Sequence, residues 1–487
     1  MSNIKKLTLL HSNDMHGDFL AERIDQRLVG GVSMLSGYLN KVRAEEENVV
    51  YAIAGDMFKG SVIDSEFLGI STIELMNMLA PDAVAVGNHE IDYGIAHLLF
   101  LERCAKFPIV NANLFIKTNH IRLFAPYTVV ERDGLKVMFI GILTEEVLSQ
   151  AKNDGLIGSF IDIREAAREI SVICDTYKTT DIDLTVLLSH VGFDKDQELA
   201  KLIDKRWGVD LIIGGHTHTM LDEPCVVNGI PIVQVGSGTD QIGRFDIKYD
   251  KYTRKMISME WKNIPINSEN CPTDPAMEDV LLHYKDQTDK KYQRIITTFA
   301  RKLTHPSRTQ ETELGNLFAD IIQSVASFDI MMYGSGSIRT EALGPVVLYQ
   351  DLKESSPYDD AVYMVEVTGE QFRRMIKFML RDEAFLGHTE FYQFSKGLRM
   401  VYSRSRREFL EFKFEGADIT PERRLTIGLQ QFHYKNFDDF FNVPLEEVSK
   451  NRKPRMVATS IFGALEELFA SSNHLDAHVE GRLEIVE

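Results

Sequence analysis

At 487 residues the chain is too long for one hydrophobic core, and two domains of ordinary size are expected. With 44% hydrophobic and 26% charged residues it has a globular composition, and its formal net charge of −18 argues against a protein whose main business is gripping nucleic-acid backbone. No apolar stretch approaches the roughly 20 residues of a membrane span.

The N-terminus, MSNIKKLTLLHSND, has a basic start, but its apolar run from Leu7 to Leu10 stops at His11. A secretory leader needs roughly 7–15 apolar residues, so a cytoplasmic location is expected. Cys104, Cys174, Cys225 and Cys271 are scattered without a CxxC or zinc-knuckle spacing, and read as small buried residues in a reducing compartment.

In chain order, the first half alternates apolar strands with helical patterns. SMLSGYLNKVRAEEE, STIELMNMLA and IAHLLFLERCAK each follow a strand and its loop, the signature of βαβ units around a substantially parallel sheet. PIVQVGSGTDQIGRFDIKYD reads as closing strands. The polar, Pro-punctuated text from Asn263 to Asp274 marks a boundary, and PAMEDVLLHYKDQTDKKYQRI reads as a helix opened by Asp274 and Pro275. The assignment is a first domain over 1–270, a linker with a helix over 271–300, and a second domain over 301–487. In that last part ETELGNLFADIIQSVA and GEQFRRMIKFMLRDEAF read as helices, and AVYMVEVTG, GLRMVYS, EFLEFKFEG and LTIGLQQF as strands.

Five of the early segments end an apolar run with metal-binding residue types: LTLLHSNDMHG, VVYAIAGDMFKG, AVAVGNHEIDYG, LTVLLSH and LIIGGHTHT. Open α/β sheets place ligands at the carboxyl ends of their strands, so these loops are expected to converge on one rim. Asp14, His16, Asp56 and His218 would hold one divalent ion, and Asp56, Asn88, His190 and His216 a second, with Asp56 as the shared carboxylate. The DMH and HTH spacings suit alternate side chains of an extended turn. Two aspartates offset only about half the charge of two such ions, and a net positive pocket attracts phosphate. The mixed donor set suits Mn, Zn, Co or Fe alike.

The order DMH, GDMFKG, GNHE, SH and GHTH resembles the calcineurin-like metallophosphoesterases. The fuller strings LHSNDMHG, NHEIDYG and GGHTH resemble their two-domain 5'-nucleotidase branch, which includes UDP-sugar hydrolases and 2',3'-cyclic-nucleotide phosphodiesterases. The resemblance implies an α/β fold, with a four-layer α/β/β/α first domain and a mixed α/β nucleotidase domain after it. It also implies that His89 is catalytic rather than a ligand, and that Asp92 orients it; a His paired to a carboxylate stays protonated more readily.

ETELGNLFAD, YGSGSIR and SSPYDDAVYMVEVTGEQF resemble the same branch's substrate-binding domain. By that resemblance Arg339 would face a phosphate or ribose, Tyr392 and Phe432 would sandwich the base, and Asp438 would contact the nucleoside. The chain departs from the pattern at Asn436 and Phe437, which replace a Gly-Gly, at Phe394, and at Ser335 and Ser337 beside Gly334 and Gly336. A bulkier pocket there would narrow or redirect the nucleoside site.

The reading is a metal-dependent phosphomonoesterase acting on nucleoside 5'-monophosphates, with a small-molecule substrate and neither a nucleic-acid polymer nor a membrane as partner. The resemblance, through that family's domain rotation, also implies a hinge near residues 270–295 or 300–312. The alternatives are a cyclic-nucleotide phosphodiesterase or UDP-sugar hydrolase on the same metals, more remotely a thioester or sulfur-bond hydrolase, and a nucleotide-binding sensor with an inactive centre.

Overall fold

The structure, a computed structural model, describes residues 4–116, 119, 121–144, 157–160, 163–176, 181–386 and 391–487. The chain divides into two compact units, Met1–Thr288 and Asp289–Glu487.

In the first unit two six-stranded sheets form the framework. The first has the parallel strands Ile4–Ser12, Val49–Ile53, Ala83–Ala85 and Ile109–Val110 side by side. Its other edge is closed by Gln241–Asp250 and Lys255–Pro265, which run antiparallel. The second sheet is built on Leu135–Leu143, Leu184–His190, Leu211–Gly214 and Ile230–Val233, all parallel, with antiparallel edge strands Tyr127–Arg132 and Cys225–Val227.

Leu9, Val50, Ala52 and Phe245 of one sheet pack on Phe139, Val186, Leu188 and Ile213 of the other. The outer face of the first sheet is covered by the helices Val32–Glu45, Ile70–Leu79 and Ile95–Cys104. The outer face of the second is covered by Ile163–Thr176 and Phe193–Leu202. These are the four layers α/β/β/α. Strands buried on both faces explain why the sequence shows continuous apolar runs instead of alternation.

The polar stretch before residue 275 is tied down. Asp274 accepts hydrogen bonds from Ser36 (2.6 Å) and Asn40 (3.0 Å) and caps the helix Pro275–Tyr292. That helix buries Met277, Leu281 and Tyr284 against the first unit, and for this reason the division falls at its far end, beyond the punctuated text.

The second unit has a five-stranded sheet in the order Tyr392–Phe394, Ile330–Gly334, Arg424–Gln430, Val362–Thr368, Arg455–Ala458, and a four-stranded sheet around Leu398–Ser403 and Glu408–Phe414. Helix Glu313–Ser324 is N-capped by Thr312, and Gly369–Met379 by a Thr368–Gln371 capping box. The latter stops earlier than its amphipathic pattern suggested: a separate 3-10 turn covers Asp382–Leu386, and Arg381 folds its guanidinium back onto the Phe378 carbonyl at 2.6 Å. The four cysteines form no disulfide with one another; Cys174 and Cys271 are buried as expected, whereas Cys225 is half-buried and Cys104 is exposed because it faces outward at the end of its helix. Among the described residues no helix is long and apolar enough to cross a membrane.

Candidate metal centre and substrate pocket

The five predicted strand ends meet. Three backbone hydrogen bonds zip the first two ligand loops together: Asp14 N to Gly55 O (3.0 Å), His16 N to Asp56 O (2.9 Å) and Gly17 N to Met57 O (2.8 Å). The fifth loop is tied to the first by the His216 amide, which donates to the Asp14 carboxylate at 2.9 and 3.0 Å.

Ligand atoms cluster in two overlapping groups. His16 Nε2 lies 2.9 Å from His218 Nε2 and 3.9 Å from Asp14 Oδ1, and His218 Nε2 lies 3.5 Å from the same oxygen. On the other side His190 Nε2 lies 3.0 Å from Asp56 Oδ2 and 3.1 Å from Asn88 Oδ1, which is 2.7 Å from His216 Nδ1. Asp56 Oδ2 also stands 3.9 Å from His16 Nε2, so one carboxylate oxygen faces both groups. All seven predicted ligands are brought together, and their groupings overlap: His190 Nε2 also lies 3.8 Å from Asp14 Oδ1, and His16, Asp56 and His89 form a third group. Carboxylate, imidazole and amide oxygen at these separations fit divalent cations of the borderline class.

The loop conformation differs from expectation. Asp14, His16, Asp56, His216 and His218 have φ of 50°, 51°, 55°, 78° and 51°, so the DMH and HTH turns kink through the left-handed region rather than running extended. Such residues are costly in isolation, and here the surrounding bonds hold them. Gly215 must be glycine: a Cβ would lie 2.7 Å from both the Ala54 carbonyl and His190 Nδ1.

Burial grades the electrostatics. Asp14 and His190 are fully buried and Asp56 nearly so, whereas the His218 side chain is 46% exposed at the rim. Burial alone would strip His190 of its proton, but the Asp56 and Asp14 carboxylates outweigh it and push its pKa up to about 10. For Asp56, burial opposes ionisation and the His190 imidazole overcomes it, holding the carboxyl well below its usual range. A cation held here would take the place of that proton as the partner of the carboxylates.

Beside the ligands, His89 Nδ1 lies 2.6 Å from Asp92 Oδ2, and the His89 backbone amide donates to Asp56 Oδ1 at 2.8 Å. The bond to Asp92 raises the pKa of His89 against the effect of burial. Two neighbours escaped the sequence reading. Glu90 is fully buried and accepts from the amides of Asp56 (3.0 Å), Met57 (2.7 Å) and Gly87 (2.5 Å), fixing the loop that carries the shared carboxylate. Gln234, also buried, spans the GGHTHT loop by donating to Gly215 O and accepting from Thr219 N, both at 3.0 Å. GNHE does contain the first; nothing in the apolar text around the second marks it.

In the second unit a pocket of about 450 Å³ is lined by Arg308, Arg339, Tyr358, Asp360, Phe432 and His433, among others. Of the residues expected to bind substrate, Arg339 and Phe432 line this pocket. Tyr392 and Asp438 do not. Tyr392 is 1% exposed, with its ring 5.0 Å from His433 and 5.4 Å from Phe441, because its strand pairs at the sheet edge and turns the ring into the core. Tyr358, 49% exposed, is the second aromatic face at the pocket instead. Asp438 accepts from Leu445 N at 2.6 Å and so starts the next helix. Ser335 and Ser337, where glycines were anticipated, bond Gln393 (2.9 Å) and Gln430 (3.0 Å) and lock the loop at the pocket floor.

The fold and the metal-ligand cluster define a metallophosphoesterase. Residues 7–220 match the model of calcineurin-like phosphoesterases and residues 292–443 that of the 5'-nucleotidase C-terminal domain. The two matched stretches put a calcineurin-like phosphoesterase domain ahead of a 5'-nucleotidase C-terminal domain in this chain. It is 26% identical over 450 residues to a snake venom 5'-nucleotidase of Naja atra, covering 82% of this chain and 83% of that one. It is 27% identical over 421 residues to a trifunctional nucleotide phosphoesterase of Bacillus subtilis, covering 76% of this chain and 27% of that longer protein. The crystal structure of a 5'-nucleotidase precursor from Thermus thermophilus aligns with a TM-score of 0.59 at 24% identity, covering 99% of this chain and all of that one, and shows the shared fold.

Proposed function

We propose that the protein hydrolyses nucleoside 5'-monophosphates to nucleoside and phosphate with two divalent ions bound in the first unit. The observation that carries this reading is Asp56 Oδ2 facing both ligand groups, His190 at 3.0 Å and His16 at 3.9 Å. When bound, two such ions polarise a phosphate and make water nucleophilic near neutral pH. The chain's own residues do the rest. Asp14, Asp56, Asn88 and the four imidazoles would hold the ions. His190 Nδ1 is occupied by the Ala54 carbonyl at 2.8 Å, which leaves Nε2 for the site. His89, held by Asp92 through Nδ1, keeps a proton on Nε2 to stabilise charge developing on a phosphoryl or leaving-group oxygen.

Relatives named 5'-nucleotidase, together with the second unit's pocket, support a nucleotide as the substrate. We assign base stacking to Phe432 and Tyr358 and anion contact to Arg339. The trifunctional relative keeps a diester or sugar nucleotide as the second reading. The test is phosphate release from AMP, UDP-glucose and 2',3'-cyclic AMP with manganese, with and without chelator. Release from AMP that needs metal supports the first reading; cleavage confined to the other two replaces it.

A further inference from the structure

The loop after Asp56 carries a lysine for which the metal centre has no use. Lys59 Nζ lies 2.6 Å from Asp92 Oδ2, the same oxygen that lies 2.6 Å from His89 Nδ1. A lysine 54% exposed in its side chain ordinarily makes an ion pair of little consequence. This one is built in. Its φ is 65°, an uncommon conformation for a non-glycine residue. Its amide is held at 2.8 Å by Asp64, a fully buried carboxylate.

Asp64 also accepts from Tyr93 OH at 2.6 Å and from the Thr72 hydroxyl. Tyr93 is the neighbour of Asp92, so a single buried carboxylate grips the chain on both sides of the Lys59–Asp92 contact. A carboxylate held by one hydrogen bond can pivot about it. A second donor on the same oxygen removes that freedom, which matters when the geometry of a catalytic group must hold to within a fraction of an ångström.

We propose that Lys59 is a positioning residue: it clamps Asp92 so that His89 presents its free ring nitrogen to the reacting phosphate, and it acts through Asp92 alone. The proposal rests on reading this centre as a phosphohydrolase site.

The experiment is a double-mutant cycle on the metal-loaded protein, comparing Lys59→Met, Asp92→Asn and the pair, with Lys59→Arg as the conservative variant. kcat and KM are measured for AMP, ADP and p-nitrophenyl phosphate, with bound metal per chain determined alongside. Lys59→Met is expected to lower kcat by about five- to twentyfold with KM and metal content unchanged, and the double variant to be no slower than Asp92→Asn within about twofold, since residues acting as a unit are not additive. Lys59→Arg should recover most of the rate.

Losses that multiply in the double variant would overturn the proposal. So would a KM increase that grows from AMP to ADP, which would make Lys59 a substrate contact, or a loss of bound metal. If the wild type cleaves diesters but not AMP, the nucleotidase reading fails while the cycle, run on the diester, still decides the role of Lys59. A wild type that binds metal yet turns over no phosphoester would end both.

Discussion

His190 Nδ1 points at the carbonyl oxygen of Ala54, 2.8 Å away. This contact fixes the tautomer that leaves Nε2 facing Asp56 and Asn88, and it joins the ligand on one sheet to the backbone of the other. Replacing His190 by Ala removes a donor from the more buried ligand group. Bound metal is expected to fall by about one ion per chain, and turnover by more than the roughly 10–100-fold typical of groups that only orient a ligand. Metal analysis beside kinetics checks this; full metal content with normal turnover would contradict it.

The bond to Asp92 raises the pKa of His89, so His89 keeps its proton to higher pH than a free imidazole. If that proton is needed for turnover, activity is lost as pH rises through the raised value. Asp92→Asn removes the cause, and the alkaline limb of the kcat profile moves to lower pH. An unmoved limb would remove His89 from the acid role.

A separate group sets acid stability. His11 is fully buried, accepts a hydrogen bond from Trp261 Nε1 at 2.9 Å, and burial lowers its pKa to about 3. Unfolded, it binds a proton near 6.5; folded, it does not until much lower. Its share of stability is therefore present above pH 6.5 and drains away as pH falls toward 3, with a slope of up to about 1.4 kcal/mol per pH unit. His11→Gln, which keeps an acceptor and cannot titrate, should flatten this part of the stability curve in denaturant titrations.

Substitution in the second unit should separate pocket from core. Phe432→Ala is expected to raise KM for nucleotides by the equivalent of about 1–3 kcal/mol, the value of one stacked base, at little cost to folding. Tyr392→Ala should instead cost about 3–5 kcal/mol of stability, as a large buried ring does. Thermal unfolding and KM for each variant decide it.

The cluster of candidate ligands was legible because its chemistry is written locally. Each ligand ends its apolar strand or lies within a few residues of its end, as His190 closes Leu184–His190 and Asp14 and His216 lie just past Ile4–Ser12 and Leu211–Gly214. The left-handed kinks at those residues left no mark beyond the nearby glycines. The braces were harder still: Gln234 acts on Gly215 and Thr219, and Lys59 on Asp92, through distances that only the folded chain sets. Tyr392 was misassigned because an aromatic residue on a strand looks the same whether its ring turns toward a pocket or into the core. The division at Thr288 falls inside the 271–300 stretch read as a linker, past the polar text that Ser36 and Asn40 pin through Asp274.

The proposed function requires Asp56 to join two metal ions into one hydrolytic centre. Measuring bound divalent metal and phosphate release from AMP for the wild type and Asp56→Asn tests it directly. About two ions per wild-type chain are expected, with release abolished by chelator and restored by manganese, and an Asp56→Asn variant with less metal and a rate lower by on the order of a thousandfold or more. A chelator-treated wild type, or an Asp56→Asn protein, that still releases phosphate at the untreated rate would contradict it.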